Sequence, residues 1–444
     1  QVSASSDVLP EFREYERFAT TVADAYLSPK LAGYLQSLRA RAKDAGLANV
    51  TVMQSSGGVV DLDTAAAGAA ACVLSGPAAG VVGAAYVASE SGFENVLTLD
   101  MGGTSTDVAA VVDGDVQTTT ETTIGGIPIR FPAVDVHTVG AGGGSIAWID
   151  SGGALRVGPR SAGAEPGPAA YGRGGDEPTV TDANLALGNL EDGMVLGGEV
   201  TLKRERAEVA LKSVADHLEG GVEEAAAGVI RVANAEMARA LRVVSIERGL
   251  DPRHFALVAF GGAGPMHACA LAEELEIQTV LVPGSGGVLS ALGLAISDMR
   301  RDYVSSVIPT RDEPDLDPTF RELETTAAKD LPGAELIRSA DLRYRGQSFE
   351  LTVEGDDLDK LRDAFHRAHA RRYGFELSFE PVEVVNCRLT ATIAAPKPKL
   401  AAPDGNGQRV DPGTIVKLAE TTCVVGPDWE GRVDERGTLI LKRT

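Results

Sequence analysis

The sequence predicts a mixed α/β chain of 444 residues that carries a separate α+β segment towards its C-terminal end. Three features predict it. Residues 96–112 read as an apolar strand, a glycine-rich bend bracketed by acids, and a second apolar strand, which is a β-hairpin pattern. Residues 255–296 alternate buried strand and helix twice, the rhythm of an α/β layer. After Arg301 the pattern changes to charge-rich alternating segments at 340–344, 348–353, 382–393 and 438–441 with one helix over 358–371, which is an antiparallel sheet with a helix.

Taken in chain order, residues 12–45 carry a helical pattern interrupted near Pro29. Phe18, Val22, Tyr26, Leu31, Tyr34 and Leu38 keep three-to-four spacing and predict a core-facing stripe. A short strand follows over 49–54. A helix over 77–89 is announced by Ser75 as its cap and Pro77 in its first turn, where the missing N–H costs nothing.

The hairpin has the residues of a phosphate cradle at its tip. Gly102 and Gly103 can uncover backbone N–H groups, Thr104, Ser105 and Thr106 bring hydroxyls, and Asp100 can hold Mg²⁺ through water, with Asp107 the matching acid on the return strand.

Residues 113–200 are rich in Gly and Pro and predict an insertion wrapped on the core, with functional or partner-facing loops. Within it, Asp135 and His137 stand two apart on a strand and hence on one face. They can share a metal, form an acid–base pair, or simply hydrogen-bond each other. The run from Gly140 to Ser145 is no dinucleotide or Walker loop, because the third spaced glycine and any Gly-Lys-Ser/Thr are missing. Arg156, Arg160, Ser161, Glu165, Tyr171 and Arg173 on a Gly-Pro frame line a pocket or cap the surface equally well.

Two helical runs over 204–248 carry core faces. The strand at 255–260 then leads into Gly261-Gly-Ala-Gly-Pro265, where Gly261, Gly262 and Gly264 allow close backbone approach to a ligand or tight packing of helix on strand. His267 in that helix's first turn reads as a packed, neutral residue, with a ligand role as the alternative. His366 and His369 lie on a helix with no third ligand nearby, which points to a solvated face rather than a metal. Residues 394–399 read as a linker to a β-rich tail.

A formal charge of −22 argues against nucleic-acid or anionic-membrane partners, and no apolar run of membrane-spanning length is present. The 31 Arg outnumber the 10 Lys, a balance that suits a salt-adapted host or a GC-rich genome. The four cysteines, at 72, 269, 387 and 423, form no paired motif and fit reduced thiols in a cytoplasmic protein.

The motif Asp100-x-Gly-Gly-Thr-x-Thr-Asp107 resembles the phosphate loop of the actin, sugar-kinase and Hsp70-type ATPases. With Leu9-Pro-Glu-Phe-Arg-Glu-Tyr-Glu-Arg17, Ser75-Gly-Pro-Ala-Ala-Gly80, Val139-Gly-Ala-Gly-Gly-Gly-Ser-Ile-Ala-Trp148, Val157 to Pro168, Tyr171 to Gly175, Thr179-Val-Thr-Asp-Ala-Asn184 and Phe260 to Pro265, the chain resembles the hydantoinase A/oxoprolinase family within that superfamily.

The resemblance implies an actin/Hsp70-like (ribonuclease H-like) ATPase half with a Gly-rich insertion, plus a C-terminal α+β domain. The expected divisions are 1–95 as the remainder of a first half with bridging helices, 96–300 as the ATPase domain with its insertion at about 113–200, 301–396 as the α+β domain, and 397–444 as linker and tail.

It further implies ATP-dependent ring opening of a five-membered cyclic amide such as hydantoin, N-methylhydantoin or 5-oxoproline. ATP and Mg²⁺ are the expected cofactors, with a second divalent metal on Asp135 and His137 as a further expectation. Asp100, Asp107, Asp135 and His137 are the expected catalytic set, with Gly102 to Thr106 on phosphate and Gly261, Gly262 and Gly264 at the adenosine. Expected partners are a hydantoinase B-type second subunit, the family's N-terminal segment, which the resemblance implies is missing from these residues, and further copies in an oligomer. A carboxylase subunit of the acetone or acetophenone type, or a non-catalytic partner-binding fragment, are the alternatives.

Overall fold

The computed structural model describes residues 2–47, 49–307, 314–400 and 407–444. The chain forms two units, one of residues 1–79, 118–134 and 294–397, the other of residues 80–117, 135–293 and 398–444.

The first unit opens with α1 (Glu14–Asp44), which runs through Pro29 without ending. Of the expected stripe, Leu31 and Leu38 are half-buried against the core beside Leu35, and the other members face outward. Phe18, Val22, Tyr26 and Tyr34 are exposed, whereas Thr20, Asp24 and Ser28 are buried with Leu35 and Ala42. The cause is distant in sequence: the Asp24 carboxylate accepts the Ala70 N–H at 3.1 Å and the Ser28 hydroxyl at 3.2 Å, and so draws the polar face inward. The strands β1 (Thr51–Met53) and β2 (Val59–Asp61) follow.

In the chain order of the second unit, α2 (Ser75–Glu90) begins at the expected cap residue itself and reaches into that unit. β3 (Val96–Met101) and β4 (Thr106–Val112) make the expected hairpin in the register Asp100 opposite Asp107. The strands β5 (His137–Val139), β6 (Ser145–Ile149) and β7 (Leu155–Ser161) come next, then α3 (Val180–Ala186), α4 (Arg204–His217) and α5 (Val222–Val244). The α/β rhythm closes with β8 (Ala256–Phe260), α6 (Gly264–Glu274) and β9 (Thr279–Val282).

The chain then returns to the first unit with β10 (Met299–Ser306), α7 (Asp317–Asp330), β11 (Glu335–Tyr344), β12 (Leu351–Glu354), α8 (Leu358–Tyr373) and β13 (Val382–Ile393). Their sheet has the order β1-β2-β10-β13-β11-β12. Phe320, Phe365, Leu342 and Leu389 fill its core. On this unit a buried ion network joins Arg130 to Glu11 at 2.7 Å and to Glu350, and joins Arg388 to Glu11 and Asp341, each at 2.7 Å.

The tail strands β14 (Arg409–Val410), β15 (Trp429–Val433) and β16 (Leu439–Arg443) belong to the second unit. Its sheet has the order β5-β4-β3-β8-β9-β16-β15-β14, with β3, β8 and β9 parallel and β4 and β16 antiparallel to their neighbours. Antiparallel hairpin strands beside two parallel strands give the ribonuclease H-like topology of the actin-type fold. Trp429 on β15 is fully buried, its indole N–H donating to Glu273 of α6 at 2.7 Å. The only other tryptophan, Trp148 on β6, is half-buried and donates to the Gly158 carbonyl at 2.8 Å.

Candidate functional site

The β3–β4 hairpin ends in a tight bend whose Gly102 N–H donates to the Ser105 carbonyl at 3.1 Å. Gly102, Gly103 and Thr104 are exposed, Ser105 is half-buried and Thr106 is buried. Nothing lies within 4 Å of where a Cβ on Gly103 would stand. The bend is therefore an open surface of main chain and hydroxyls between two carboxylates.

One flank of the bend is closed by backbone. The Gly143 N–H donates to the Gly102 carbonyl at 2.9 Å and the Gly144 N–H to the Gly103 carbonyl at 2.6 Å, while the Thr106 hydroxyl donates to the Ala141 carbonyl. This is what the glycine run over 140–145 is for. A Cβ on Gly142 would lie 2.7 Å from the backbone nitrogens of Thr104 and Ser105, too close for any side chain.

The run is itself fixed by the start of α3. Thr179 and Asp182 form a reciprocal capping box, and Asp182 also accepts the Ala170 N–H at 2.7 Å. Two residues past the cap residue, Thr181 donates its N–H at 2.7 Å and its hydroxyl at 2.8 Å to the Gly143 carbonyl. The Thr-x-x-Asp spacing at 179–182 was a readable signal for this cap, although the residues it holds in place are about forty positions upstream.

The strand-to-helix junction after β8 meets the same corner. Phe260 pairs in register with Asp100, and Gly261 has φ +78°. A Cβ there would lie 2.5 Å from Asp100 Oδ1 and 2.5 Å from the Met101 carbonyl oxygen. The Ala263 N–H donates to that carbonyl at 3.0 Å, and Gly264 packs on Leu99. Gly261, the exposed Gly262 and Gly264 thus stand beside Asp100, on the same edge of the sheet as the bend.

The electrostatics of the corner are those of under-neutralised acid. Burial, reinforced by the Asp107 charge, pushes the Asp100 carboxyl up to about 6. Burial also raises Asp107, against the Thr138 hydroxyl that donates to its Oδ1 at 2.5 Å. Two carboxylates beside exposed main chain suit Mg²⁺, which prefers one or two carboxylates and keeps several waters. No group of three or more His, Cys, Asp or Glu able to hold a metal exists among the described residues.

The remaining expected residues lie elsewhere. Asp135 is engaged by Arg248, whose Nη2 donates to Oδ1 at 2.9 Å and whose Nη1 donates to Oδ2. His137 is opposite the core residue Val108, while its neighbour Thr138 is the one opposite Asp107, so strand alternation turns the imidazole away from the acid pair. The expectation that Asp135 and His137 share a metal or a proton meets a carboxylate already paired with arginine. Arg156 pairs with Asp150, Arg160 with Glu177 and Arg173 with Glu199, all at the surface.

His267 is a packed residue. Burial lowers it to about 4, and its ring lies between Asn234 Oδ1, 2.7 Å from Nδ1, and Asn184 Nδ2, 3.4 Å from Nε2. His369 does not lie on a solvated face. It is buried among Tyr344, Phe365, Tyr373 and Phe375, while His366 pairs with the Tyr344 hydroxyl at 2.7 Å. A cavity of about 700 Å³ in the first unit is lined by Glu11, Arg130, Glu350 and Arg388, whose charges are spent on one another.

With this geometry in view, the chain matches the hydantoinase/oxoprolinase family over residues 17–303. It is 38% identical to caprolactamase subunit alpha of Pseudomonas jessenii, over 99% of this chain and 71% of that protein. The crystal structure of the ATP-dependent caprolactamase from the same organism superposes with a TM-score of 0.85 at 35% identity, covering 100% of this chain and 72% of that one. The 5-oxoprolinase of Saccharomyces cerevisiae is 37% identical over 88% of this chain and 32% of its own length. The acetone carboxylase beta subunit of Xanthobacter autotrophicus is 30% identical over 92% of this chain and 61% of that protein.

Proposed function

The chain belongs to the hydantoinase/oxoprolinase family, and on that premise we propose that it is the nucleotide-binding part of an ATP-dependent hydrolase of cyclic amides. The observation that carries the reading is the single corner where the acid-flanked bend at 100–107 and the glycine junction at 261–264 adjoin. The bend from Gly102 to Thr106 holds the phosphates through main-chain N–H groups and hydroxyls, and Gly261, Gly262 and Gly264 leave room for the adenosine.

Asp100 and Asp107 are the residues that would hold Mg²⁺, and a metal bound there would supply charge neutralisation for the phosphate oxygens. Asp107, fixed by Thr138, orients the attacking group for in-line transfer.

A lactam carbonyl is a poor electrophile. Transfer of the γ-phosphoryl group from ATP to the amide oxygen breaks the β–γ bridge, releases ADP and leaves an imidate phosphate. Water then adds to the former carbonyl carbon, the C–N bond breaks with the nitrogen leaving as the protonated amine, and a second water hydrolyses the resulting acyl phosphate to the carboxylate and free phosphate. 5-Oxoproline or a hydantoin is the proposed five-membered substrate, and the likeness to caprolactamase supports including larger rings in the proposed class. The relatives called caprolactamase subunit alpha and acetone carboxylase beta subunit are parts of larger assemblies, and a second large subunit is proposed here as well.

The test is phosphate release from Mg-ATP with 5-oxoproline, hydantoin or ε-caprolactam, run beside acetone or acetophenone with labelled bicarbonate. Lactam-dependent phosphate release supports the reading. Label fixed into a carboxylic acid overturns it in favour of a carboxylase. ATP binding that is undetectable for the chain alone and restored by a second polypeptide places the catalytic unit in the assembly.

A further inference from the structure

The tail of the second unit carries a small hairpin that the proposed reaction does not use. Ile415–Lys417 and Thr422–Val424 pair antiparallel, and the turn between them closes with the Leu418 N–H donating to the Thr421 carbonyl at 2.9 Å. The hairpin is firmly rooted. Cys423 and Val425 lie in the unit's core, Val416 and Leu418 pack against it, and Lys417 pairs with Glu191 at 2.5 Å.

The turn is seated on glycine. A Cβ on Gly287 would stand 2.2 Å from the Glu420 Cβ, so the loop after β9 admits no side chain there while the turn is in place. A Cβ on Gly286 would touch the Thr421 methyl at 3.6 Å, and the Gly286 carbonyl accepts the Gly261 N–H at 3.1 Å. Thr421, 7% exposed, donates its hydroxyl to the Gly262 carbonyl at 3.3 Å. The turn over 418–421 therefore reaches the glycine junction that stands beside Asp100. Nothing lies within 4 Å of where a Cβ on Gly262 would stand, and Glu420 next to it is exposed, with no hydrogen bond or ion pair among the described residues.

Position along the sheet edge decides what this carboxylate can meet. The strands lie in the order β4-β3-β8-β9, so the acid-flanked bend and the turn on the loop after β9 are about two strand spacings apart, roughly 10 Å. An ionised carboxylate only accepts hydrogen bonds, and it repels phosphate. Two strands away from the phosphate bend it fits the other end of a nucleotide, whose donors are the ribose hydroxyls and, in adenine, the N6 amino group.

On the nucleotide reading of the Asp100 corner, we propose that the 418–421 turn is a wall of the nucleoside site and that Glu420 is its specificity residue, its carboxylate accepting a hydrogen bond from a nucleoside donor, a ribose hydroxyl or the adenine amino group. Thr421 is a positioning residue, because its bond to the Gly262 carbonyl holds the turn against the junction. A nucleoside without the donor leaves the carboxylate stripped of water and unpaired, and is bound less tightly for that reason.

Mg-ATP, 2′-deoxy-ATP, 3′-deoxy-ATP and ITP are titrated by calorimetry and saturation-transfer NMR, each to about 10 mM, into the chain and its Glu420→Ala and Gly103→Ala variants. The parent is expected to bind ATP at least about fivefold tighter than the analogue that lacks the donor. Glu420→Ala is expected to melt at the parent temperature, to lose about fivefold or more in ATP affinity, and no longer to distinguish that analogue. Lost discrimination against a deoxy form identifies a ribose hydroxyl as the donor, and lost discrimination against ITP identifies the amino group. Glu420→Ala with the parent's ATP affinity and the parent's ratios overturns the role of Glu420; if Gly103→Ala weakens ATP in the same series, the nucleotide reading of the bend stands without it. No nucleotide bound by the parent, alone or with a second subunit, overturns both.

Discussion

Asp100 and Asp107 are cross-strand partners at the mouth of one hairpin, and the Thr138 hydroxyl donates to Asp107. The consequence is an acid pair whose first member is pushed up to about 6 by burial and by its neighbour. In the folded chain Asp100 keeps its proton between about pH 4 and 6, where the unfolded chain has released it. This group's contribution therefore makes the metal-free protein more stable as pH falls from 7 towards 4, and less stable above 6.

Asp100→Asn is accordingly expected to abolish nucleotide hydrolysis while stabilising the metal-free fold at pH 7.5. A rise of about two pKa units sets a ceiling of about 3 kcal/mol, and partial exposure reduces the expected gain to about 1–2 kcal/mol. Urea unfolding at pH 5 and 7.5 in the presence of a chelator checks it, and a variant that is less stable at pH 7.5 contradicts the assignment.

The glycines around the bend are expected to separate into two kinds. Gly142→Ala and Gly261→Ala put a Cβ against backbone atoms or against Asp100, and Gly261 has a positive φ as well, so each should cost about 2–4 kcal/mol. Gly103→Ala meets nothing and should fold normally, yet its methyl covers the exposed main chain and should weaken ATP binding. Thermal melts with nucleotide titrations distinguish the two kinds.

Much of this site was legible locally. The hairpin and its register follow from acid, diglycine, hydroxyls and acid at fixed spacing, and the strand ending in Gly261 is marked by a continuous apolar run. What local patterns could not supply is pairing at a distance. Asp135 is engaged by Arg248, 113 residues on, and Asp24 draws the polar face of α1 inward by accepting from Ala70. His369 is buried by aromatic residues from three separate segments, which helical spacing alone reads as solvent-facing.

The ion network of the first unit should be costly to break and nearly insensitive to salt, since Arg130, Glu11 and Arg388 are all buried. Arg130→Met leaves Glu11 and Glu350 each one partner short and is expected to destabilise by about 3–5 kcal/mol. Melting in 0.1 and 1 M salt checks it, because a loss that disappears at high salt indicates a solvated pair.

Termination after Pro427 removes β15 and β16 and uncovers the edge of β9, where Val280 and Val282 are fully buried in the intact chain. The shortened chain is expected to aggregate or to lose most of its cooperative unfolding. A soluble, monomeric product with an unchanged melt contradicts the placement of the tail in that sheet.

Trp148 and the sealed Trp429 both reside in the unit that contains the hairpin, and the other unit has no indole at all. Light absorbed at 295 nm therefore illuminates one half of the molecule. Emission tracks the loss of the sheet that carries the hairpin, while the aromatic cluster around His369 and the arginine network can melt in the dark, visible only to circular dichroism or calorimetry.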